Sequence, residues 1–590
     1  MCDTLAVTLA LSLTLAQAGP QQPAVRETVL VTATVAPESL QHIGRTVAVL
    51  AGDELRQLPL GSIADALRLI GSVDVRSRGP LGIQSDFSIR GAGFGQALVL
   101  VDGVRINDAQ SGHHNSDIPV PLADVERVEV LLGGGSSLHG ADATGGAVNV
   151  ITRDGGPRLF ADVAAGEHAL LETSGTAAMS GGGVQHVFSG TFSRTDGFTT
   201  ARDHTAGLGR YQATFGRSTT ASLGLVDKAF GANGFYGPAP SREWTDQWLG
   251  TVRHRIARAE RWQASADASY RTHGDRFVYD ERNPSLSQSR HRTHAVAANV
   301  RWHGTASAGT QLSVAGSAGH ETIGSSNLGD HSFTRASAGV EVRQAIGSRF
   351  AMHPGLRVDS YSRFGTSWSP SLAASGWISK RVRLRSSIGH AFRVPTFTEL
   401  FYTDPNHQGA GALDPETAWS ADGGVDAYGR SWTVGITAFS RWEDNVIDWV
   451  RPSAAVRWRT ANIRDVDTSG VETSAQHRFG DGTQVRLQYT WLTSDAPALD
   501  GLSKYALDYA RSSVAASGTT DWRQIRLAAR AEWKRRVDGR EYWTMDTQIA
   551  RAVRRAELYL QVANMFDRRY QEIRGVDMPG RWVKGGVRVR

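Results

Sequence analysis

A single cysteine, Cys2, occurs in the 590 residues. It falls in a segment read below as a removable leader. Without it the chain has no thiol, which excludes disulfide scaffolding, metal-thiolate sites and cysteine-nucleophile catalysis. Lysine is almost as scarce: only Lys228, Lys380, Lys504, Lys534 and Lys584 contribute to the 64 basic residues. The sequence holds no Gly-Lys-Ser/Thr phosphate loop and no His-Glu-x-x-His pair, and Gly91-Ala-Gly-Phe-Gly-Gln96 lacks the third glycine of a dinucleotide loop. Nothing points to catalysis, so the protein is read as no enzyme and as needing no cofactor. Beyond the N-terminus no apolar run reaches the roughly 18 residues of a membrane-spanning helix. That excludes a helical membrane protein and leaves a β-barrel open. Proline is sparse at 19, whereas the 64 glycines exceed the usual share of about 7%, an excess suited to turns and strand kinks. The formal charge of +6 is carried by arginines dispersed along alternating segments, so no nucleic-acid partner is expected.

The positive features fall into zones. Leu5 to Ala16 is a short apolar run, and Ala16-Gln17-Ala18 has the small-x-small form of a signal-peptidase site. Residues 1–18 are therefore read as a signal peptide. Residues 19–40 form an arm containing Glu27, Thr28, Val29, Leu30, Val31, Thr32 and Ala33, a β-branched run with no neighbour in sequence to pair with. Such a run suits strand addition to another protein.

Residues 41–155 read as an α+β domain. Asp53 is a candidate N-cap, and Ile63, Ala66, Leu67 and Ile70 have the spacing of an amphipathic helix. Strand-like runs follow at Phe87 to Arg90, Ala97 to Val101, Val125 to Leu131 and Ala147 to Thr152.

From 156 to 590 alternation takes over. Thr483, Val485, Leu487, Tyr489 and Trp491 alternate with Gln484, Arg486, Gln488 and Thr490; Trp432, Val434, Ile436 and Ala438 behave likewise, as do Leu558, Leu560 and Val562. This dyad pattern marks an outer-membrane barrel, although a soluble β-sandwich alternates too. Length helps decide. At roughly 20 residues per strand with its share of loop, the zone holds about 22 antiparallel strands. A lumen of that size calls for a plug, and the preceding α+β domain can fill it.

Several motifs occur in order: Glu27 to Ala33; Ile89-Arg90-Gly91; Leu98 to Asn107 (LVLVDGVRIN); Val125 to Val130 (VERVEV); Gly134 to Gly140; Gly145 to Thr152; Ala391 to Leu400 (AFRVPTFTEL); Leu413 to Thr417; Thr468 to Glu472; and Asn564 to Asp567. Together they resemble the TonB-dependent outer-membrane transporters, and the run Glu27 to Ala33 is most like the TonB box of the vitamin B12 branch. The resemblance implies an all-β membrane protein with a plug inside a barrel of about 22 strands, located in the cell outer membrane. It implies active transport of a scarce large ligand, cobalamin or a ferric siderophore, powered through TonB and its inner-membrane energising complex. Outer-membrane lipids and lipopolysaccharide are the other expected neighbours. A haem receptor of the same family, a passive porin and an adhesin barrel stay open as alternatives.

A movable plug favours polar contacts over a dry apolar seam, so Arg90, Arg105, Glu126, Arg127 and Glu129 are candidate plug-to-barrel contacts. Gly91, Gly103, Gly140, Gly145 and Gly146 are read as turn or close-approach positions. The plug apex is expected between Asn107 and Pro121. There Gln110, His113, His114 and Asn115 are candidate ligand contacts, and the two histidines could also hold a metal or haem iron, or simply meet water and the barrel wall. Phe235, Tyr236 and Trp244 suit either a partly apolar ligand or the aromatic belt of the membrane interface. The identity of any metal is left open. The chain ends Gly586-Val-Arg-Val-Arg590 without the terminal aromatic usual in this family.

Overall fold

The computed structural model describes residues 30–31, 34, 38–155, 158–259, 261–480, 482–496 and 501–589. The leader read over 1–18 and, of the run 27–33, Glu27, Thr28, Val29, Thr32 and Ala33 lie outside the described residues.

Twenty-two antiparallel strands close into one barrel. The first, Arg158–Gly166, pairs with the second, Leu170–Gly181, on one side and with the last, Trp582–Val589, on the other. Closure removes both sheet edges and satisfies every strand's backbone, as a lipid environment requires. The last strand closes the barrel without a terminal aromatic: Val587 and Val589 face outward, while Arg588 turns inward to Asp162 at 2.7 Å.

The alternation read from the sequence sorts the two faces. On the strand Gln484–Asp495, Val485, Leu487, Tyr489 and Trp491 are exposed on the outside, whereas Gln488 and Thr490 are buried toward the lumen. Trp432, Val434 and Ile436, and Leu558 and Leu560, likewise face out. A charge placed on this outer band must enter hydrocarbon. We expect Leu487→Arg to lower barrel stability in lipid by about 2–4 kcal/mol at mid-depth, measured by reversible guanidinium unfolding in bilayers.

The two rims differ. One carries tight turns such as 182–183, 308–309 and 523–524, and the other carries long connections such as 394–415, 445–465 and 564–581. On the long-loop rim a four-stranded sheet of His407–Gln408, Trp458–Ile463, Val446–Arg451 and Leu502–Ser503 ties three connections together.

Inside the barrel sits the α+β domain. Its five-stranded sheet has the order Thr46–Ala51, Val125–Leu132, Gly146–Thr152, Ala97–Val101, Val104–Arg105, and a hairpin of Val73–Ser77 and Ser85–Ile89 stands beside it. Leu50, Leu67, Val99, Val128 and Val148 are fully buried in its core, where each contributes roughly 1.5–3 kcal/mol. The amphipathic segment forms a helix over Ile63–Leu67, capped by Ser62 Oγ accepting from Asp65 N at 3.1 Å. The expected cap at Asp53 is displaced: the helix Gly52–Leu55 starts after Ala51, so Asp53 lies within its first turn and pairs with Arg56. Gly146 sits at φ +147, and a Cβ there would lie 2.1 Å from the Leu131 carbonyl oxygen, so only glycine lets these two strands approach.

Candidate functional site at the plug apex and plug wall

The wall between plug and barrel is ionic. Arg90 places Nε and Nη2 each 2.8 Å from the two Glu472 oxygens and Nη1 3.2 Å from Asp422 Oδ2, with Phe439 stacked 4.5 Å from its guanidinium. Further pairs cross the same wall: Arg45 to Glu341 (2.7 Å), Arg68 to Glu532 and Glu572 (both 2.8 Å), and Asp74 to Arg536 (3.0 Å). Asp124 meets Arg210 at 2.6 Å, and Glu54 meets Arg486 at 3.0 Å. Buried pairs of this kind add little net stability over apolar packing, but removing one partner is costly. Their geometry fixes the register in which the domain seats in the barrel.

Of the five residues named from sequence as plug-to-barrel contacts, Arg90 crosses to the barrel. Arg105 turns back to Asp142, Arg127 binds Glu129 at 2.7 Å, and Glu126 faces Arg153 at 3.8 Å, so the ion pairs of Arg105, Arg127 and Glu126 lie within the plug. Their partners are nearby in the plug sheet, which sequence order alone does not weigh against the barrel wall.

The segment 107–121 lies near the long-loop rim and is held from three sides. Asp117 binds Lys228 Nζ at 2.7 Å, Asp108 binds Arg271 Nη2 at 2.7 Å, and Gln110 Nε2 donates to Asp275 Oδ2 at 3.1 Å. Asn115 Oδ1 accepts from the Asp108 amide at 3.0 Å. Gln110, His114 and Asn115 are buried, which makes them anchors of the apex. Burial works against the His114 imidazolium, but the carboxylates of Asp275 and Asp108 outweigh it and push the group up to about 9. Burial also opposes charge on Asp86, yet Arg78 and His113 beside it hold its carboxyl well below the usual range.

His113 alone of the four opens outward. Its Nδ1 lies 2.7 Å from Asp86 Oδ1, its ring stacks on Phe94 at 4.4 Å, and Tyr505 approaches Phe94 edge-on at 5.3 Å. Tyr505 is set by Asp448, whose carboxylate accepts from the backbone N–H groups of Lys504, Tyr505 and Ala506, each at 3.1 Å. Lys504 Nζ reaches His407 Nε2 at 2.9 Å, and Trp449 meets the His407 ring edge-on at 5.2 Å. The half-buried rings of Phe94, His113 and Tyr505 pack together beside Lys504 and His407, an aromatic cluster between the apex and the long loops that is termed the vestibule below. Phe94, Tyr505 and Lys504 had no motif to signal them, because their loops are distant in sequence.

Two candidates leave the ligand set. Phe235 is buried in an apolar cluster with Ile83, Phe230 and Val576, so it packs the loop. Trp244 shares the outer phase of its strand with exposed Trp248, since Glu243, Thr245 and Gln247 fill the lumen side. Its ring stacks on Arg276 at 4.7 Å, a belt position. Tyr236 stays half-exposed, its hydroxyl accepting from Gln84 at 2.7 Å.

The opposite end of the plug emerges at the short-turn rim. Glu38 meets Arg343 at 3.0 Å, Ser375 Oγ donates to the His42 carbonyl at 2.6 Å, and Arg383 donates to the Leu40 carbonyl. Here Leu30–Val31 pairs antiparallel with Glu38–Ser39.

Comparison with known proteins bears on this architecture. The family model for a TonB dependent receptor-like β-barrel matches residues 187–566, and that for the TonB-dependent receptor plug domain matches 39–147. The chain is a TonB-dependent receptor. Members of this family are receptors and transporters of the outer membrane, so the short-turn rim of this receptor faces the periplasm and the long-loop rim the exterior. The receptor is similar to the vitamin B12 transporter BtuB of Vibrio vulnificus strain CMCP6, 26% identical over 485 residues covering 77% of this chain and 75% of that protein. The counterpart in strain YJ016 is 24% identical over 513 residues, covering 78% and 77%. Among solved structures, the ferric enterobactin receptor PfeA of Pseudomonas aeruginosa, a G324V mutant, superposes with a TM-score of 0.76 at 17% identity, covering 93% of this chain and 98% of that one. The siderophore receptor PirA of Acinetobacter baumannii gives 0.74 at 16%, with the same coverage. These two show a shared fold.

Proposed function

We propose that the receptor binds cobalamin in the vestibule and imports it with energy delivered by TonB to residues 27–33. What carries this reading is the polarity of the plug: the arm leaves at the periplasmic rim, next to Glu38–Arg343, while the apex faces an aromatic vestibule at the other. Pulling on the arm therefore acts on a domain held by ion pairs that can be exchanged for water. The named function of the curated relatives favours cobalamin. A ferric siderophore is the second reading, favoured by Arg78 over the Tyr236 ring at 5.5 Å and Lys504 over Tyr505 at 5.1 Å, cations and rings suited to an anionic aromatic chelate. The haem reading is weakened at His407, where Asp404 and Lys504 occupy both ring nitrogens. A passive porin does not account for a lumen filled by a domain with its own core.

The test is equilibrium binding of the detergent-purified receptor to cyanocobalamin, a ferric catecholate siderophore and haem. We expect saturable cobalamin binding, weakened about tenfold by Tyr505→Ala through loss of ring contact. Siderophore binding with none to cobalamin would replace the first reading with the second.

A further inference from the structure

Below the vestibule, three side chains from two domains converge. His114 and Asp117 come from the plug apex and His273 from the barrel strand Trp262–Val278, and one donor atom of each lies within 4.8 Å of the others. All three are buried, His273 completely. We propose that His114, Asp117 and His273 bind a divalent transition-metal ion that fastens the plug apex to the barrel wall.

The donor set and its surroundings carry the assignment. Two imidazoles with one carboxylate favour zinc-like ions over calcium or magnesium, which take oxygen donors. Zinc holds nitrogen and oxygen ligands at about 2.0–2.2 Å, which puts tetrahedral donors about 3.4 Å apart. His273 Nε2 and Asp117 Oδ2 already stand 3.2 Å apart, joined by a hydrogen bond whose proton the ion replaces. The third donor is His114, whose imidazolium gives up its proton when the ion binds. His273 Nδ1 lies 3.4 Å from Asp108 Oδ2 without a hydrogen bond, so a small ring rotation gives the carboxylate-imidazole-metal arrangement that fixes a ligating histidine. Asp275 sits 3.6 Å from His114 Nε2, and its Oδ1 has no hydrogen-bond partner. It borders the site beside His114.

Unpartnered polar atoms point the same way. The side chains of Asp108, Asp117, Asp275 and Glu243 are buried together, and Asp275 Oδ1, Glu243 Oε2 and His273 Nδ1 among them lack a hydrogen-bond partner, which is costly for buried polar groups unless something binds them. The ion would be a resident staple, not cargo, because the site lies under the apex and both domains supply ligands. The assignment does not depend on which ligand the vestibule takes.

The experiment uses the full receptor in detergent, stripped with a chelator and titrated with zinc, with cobalt as a spectroscopic substitute. We expect a single tight equivalent of zinc and, with cobalt, the visible absorption of a tetrahedral site. The double variant His114→Ala/His273→Ala should bind at least tenfold more weakly and lose that absorption. His273→Cys should regain binding with a thiolate-to-cobalt charge-transfer band. Heat-modifiable gel migration verifies that each barrel is folded. Wild-type receptor that takes up no zinc, binds calcium in preference, or binds zinc as well after both histidines are removed would overturn the proposal.

Discussion

Leu30→Pro is expected to abolish energised uptake while leaving ligand binding at the wild-type level. In the structure Leu30 opposes Ser39 and Val31 opposes Glu38 in a two-stranded pairing at the periplasmic rim. That segment must instead pair with TonB if residues 27–33 are the coupling strand. Proline removes the Leu30 N–H and fixes its φ, so a ladder bond is lost and neighbouring pairs are misaligned. Loss of one or two ladder bonds at about 1–3 kcal/mol each weakens strand addition by roughly fivefold to more than ten-thousandfold. The vestibule residues Phe94, His113 and Tyr505 stand at the opposite end of the plug, so affinity for ligand should not move. Uptake of labelled cobalamin in energised cells, set beside binding at cells with a collapsed proton gradient, separates the two. Undiminished uptake by Leu30→Pro would remove this segment from the coupling role.

Arg90→Ala should leave the barrel intact and loosen the plug. Arg90 is held at φ +51, a conformation that costs a non-glycine residue of order 1–3 kcal/mol and that its position between Glu472, Asp422 and Phe439 compensates. Truncation leaves two buried carboxylates without this guanidinium, a loss of about 3–5 kcal/mol for a broken buried pair. Expressed as a shift in plug seating, that is a hundredfold or more in the unseated population. The expected readouts are frequent channel openings in planar bilayers and raised sensitivity of cells to large antibiotics. Arg90→Ala/Glu472→Gln should recover part of the seal, because it removes the orphaned charge. Identical conductance for wild type and Arg90→Ala would show that this pair does not hold the plug.

Periodicity made the barrel legible. Once Val485, Leu487 and Tyr489 alternate with Arg486 and Gln488, the two faces of the strand must meet different surroundings, because successive side chains on a strand point to opposite sides; the length of the zone then favoured a barrel over a sandwich. The plug strands were readable for a related reason: Ala97 to Val101 is an apolar run bounded by turn residues. The expected cap at Asp53 failed because residue type alone does not locate the first helical turn when the preceding Ala51 ends a strand whose register is set by pairing with Arg127.

The candidate site divides along the same line. Local order was sufficient to put Gln110, His113, His114 and Asn115 at the apex, since strands flank that segment. It was not sufficient to say that His114 turns inward to Asp275 while His113 turns outward to Phe94. It left Trp244 between ligand and membrane belt, a choice that the phase of its strand decides in favour of the outer face. The partners of the plug were out of reach altogether: Arg90 and Glu472 are 382 positions apart, and no spacing rule links them.

By itself the sequence determined the class of the molecule: an Arg-rich chain with a single cysteine, a glycine excess and strands of period two, preceded by a domain that can fill a lumen. Those are properties of local geometry and composition, which each short segment carries alone. Only the tertiary structure decided which inward charges meet, which aromatic rings share the vestibule, and that two histidines and an aspartate from different domains converge. Curling the wall into a closed barrel around the plug sets those distances, and closure is a property of all twenty-two strands together.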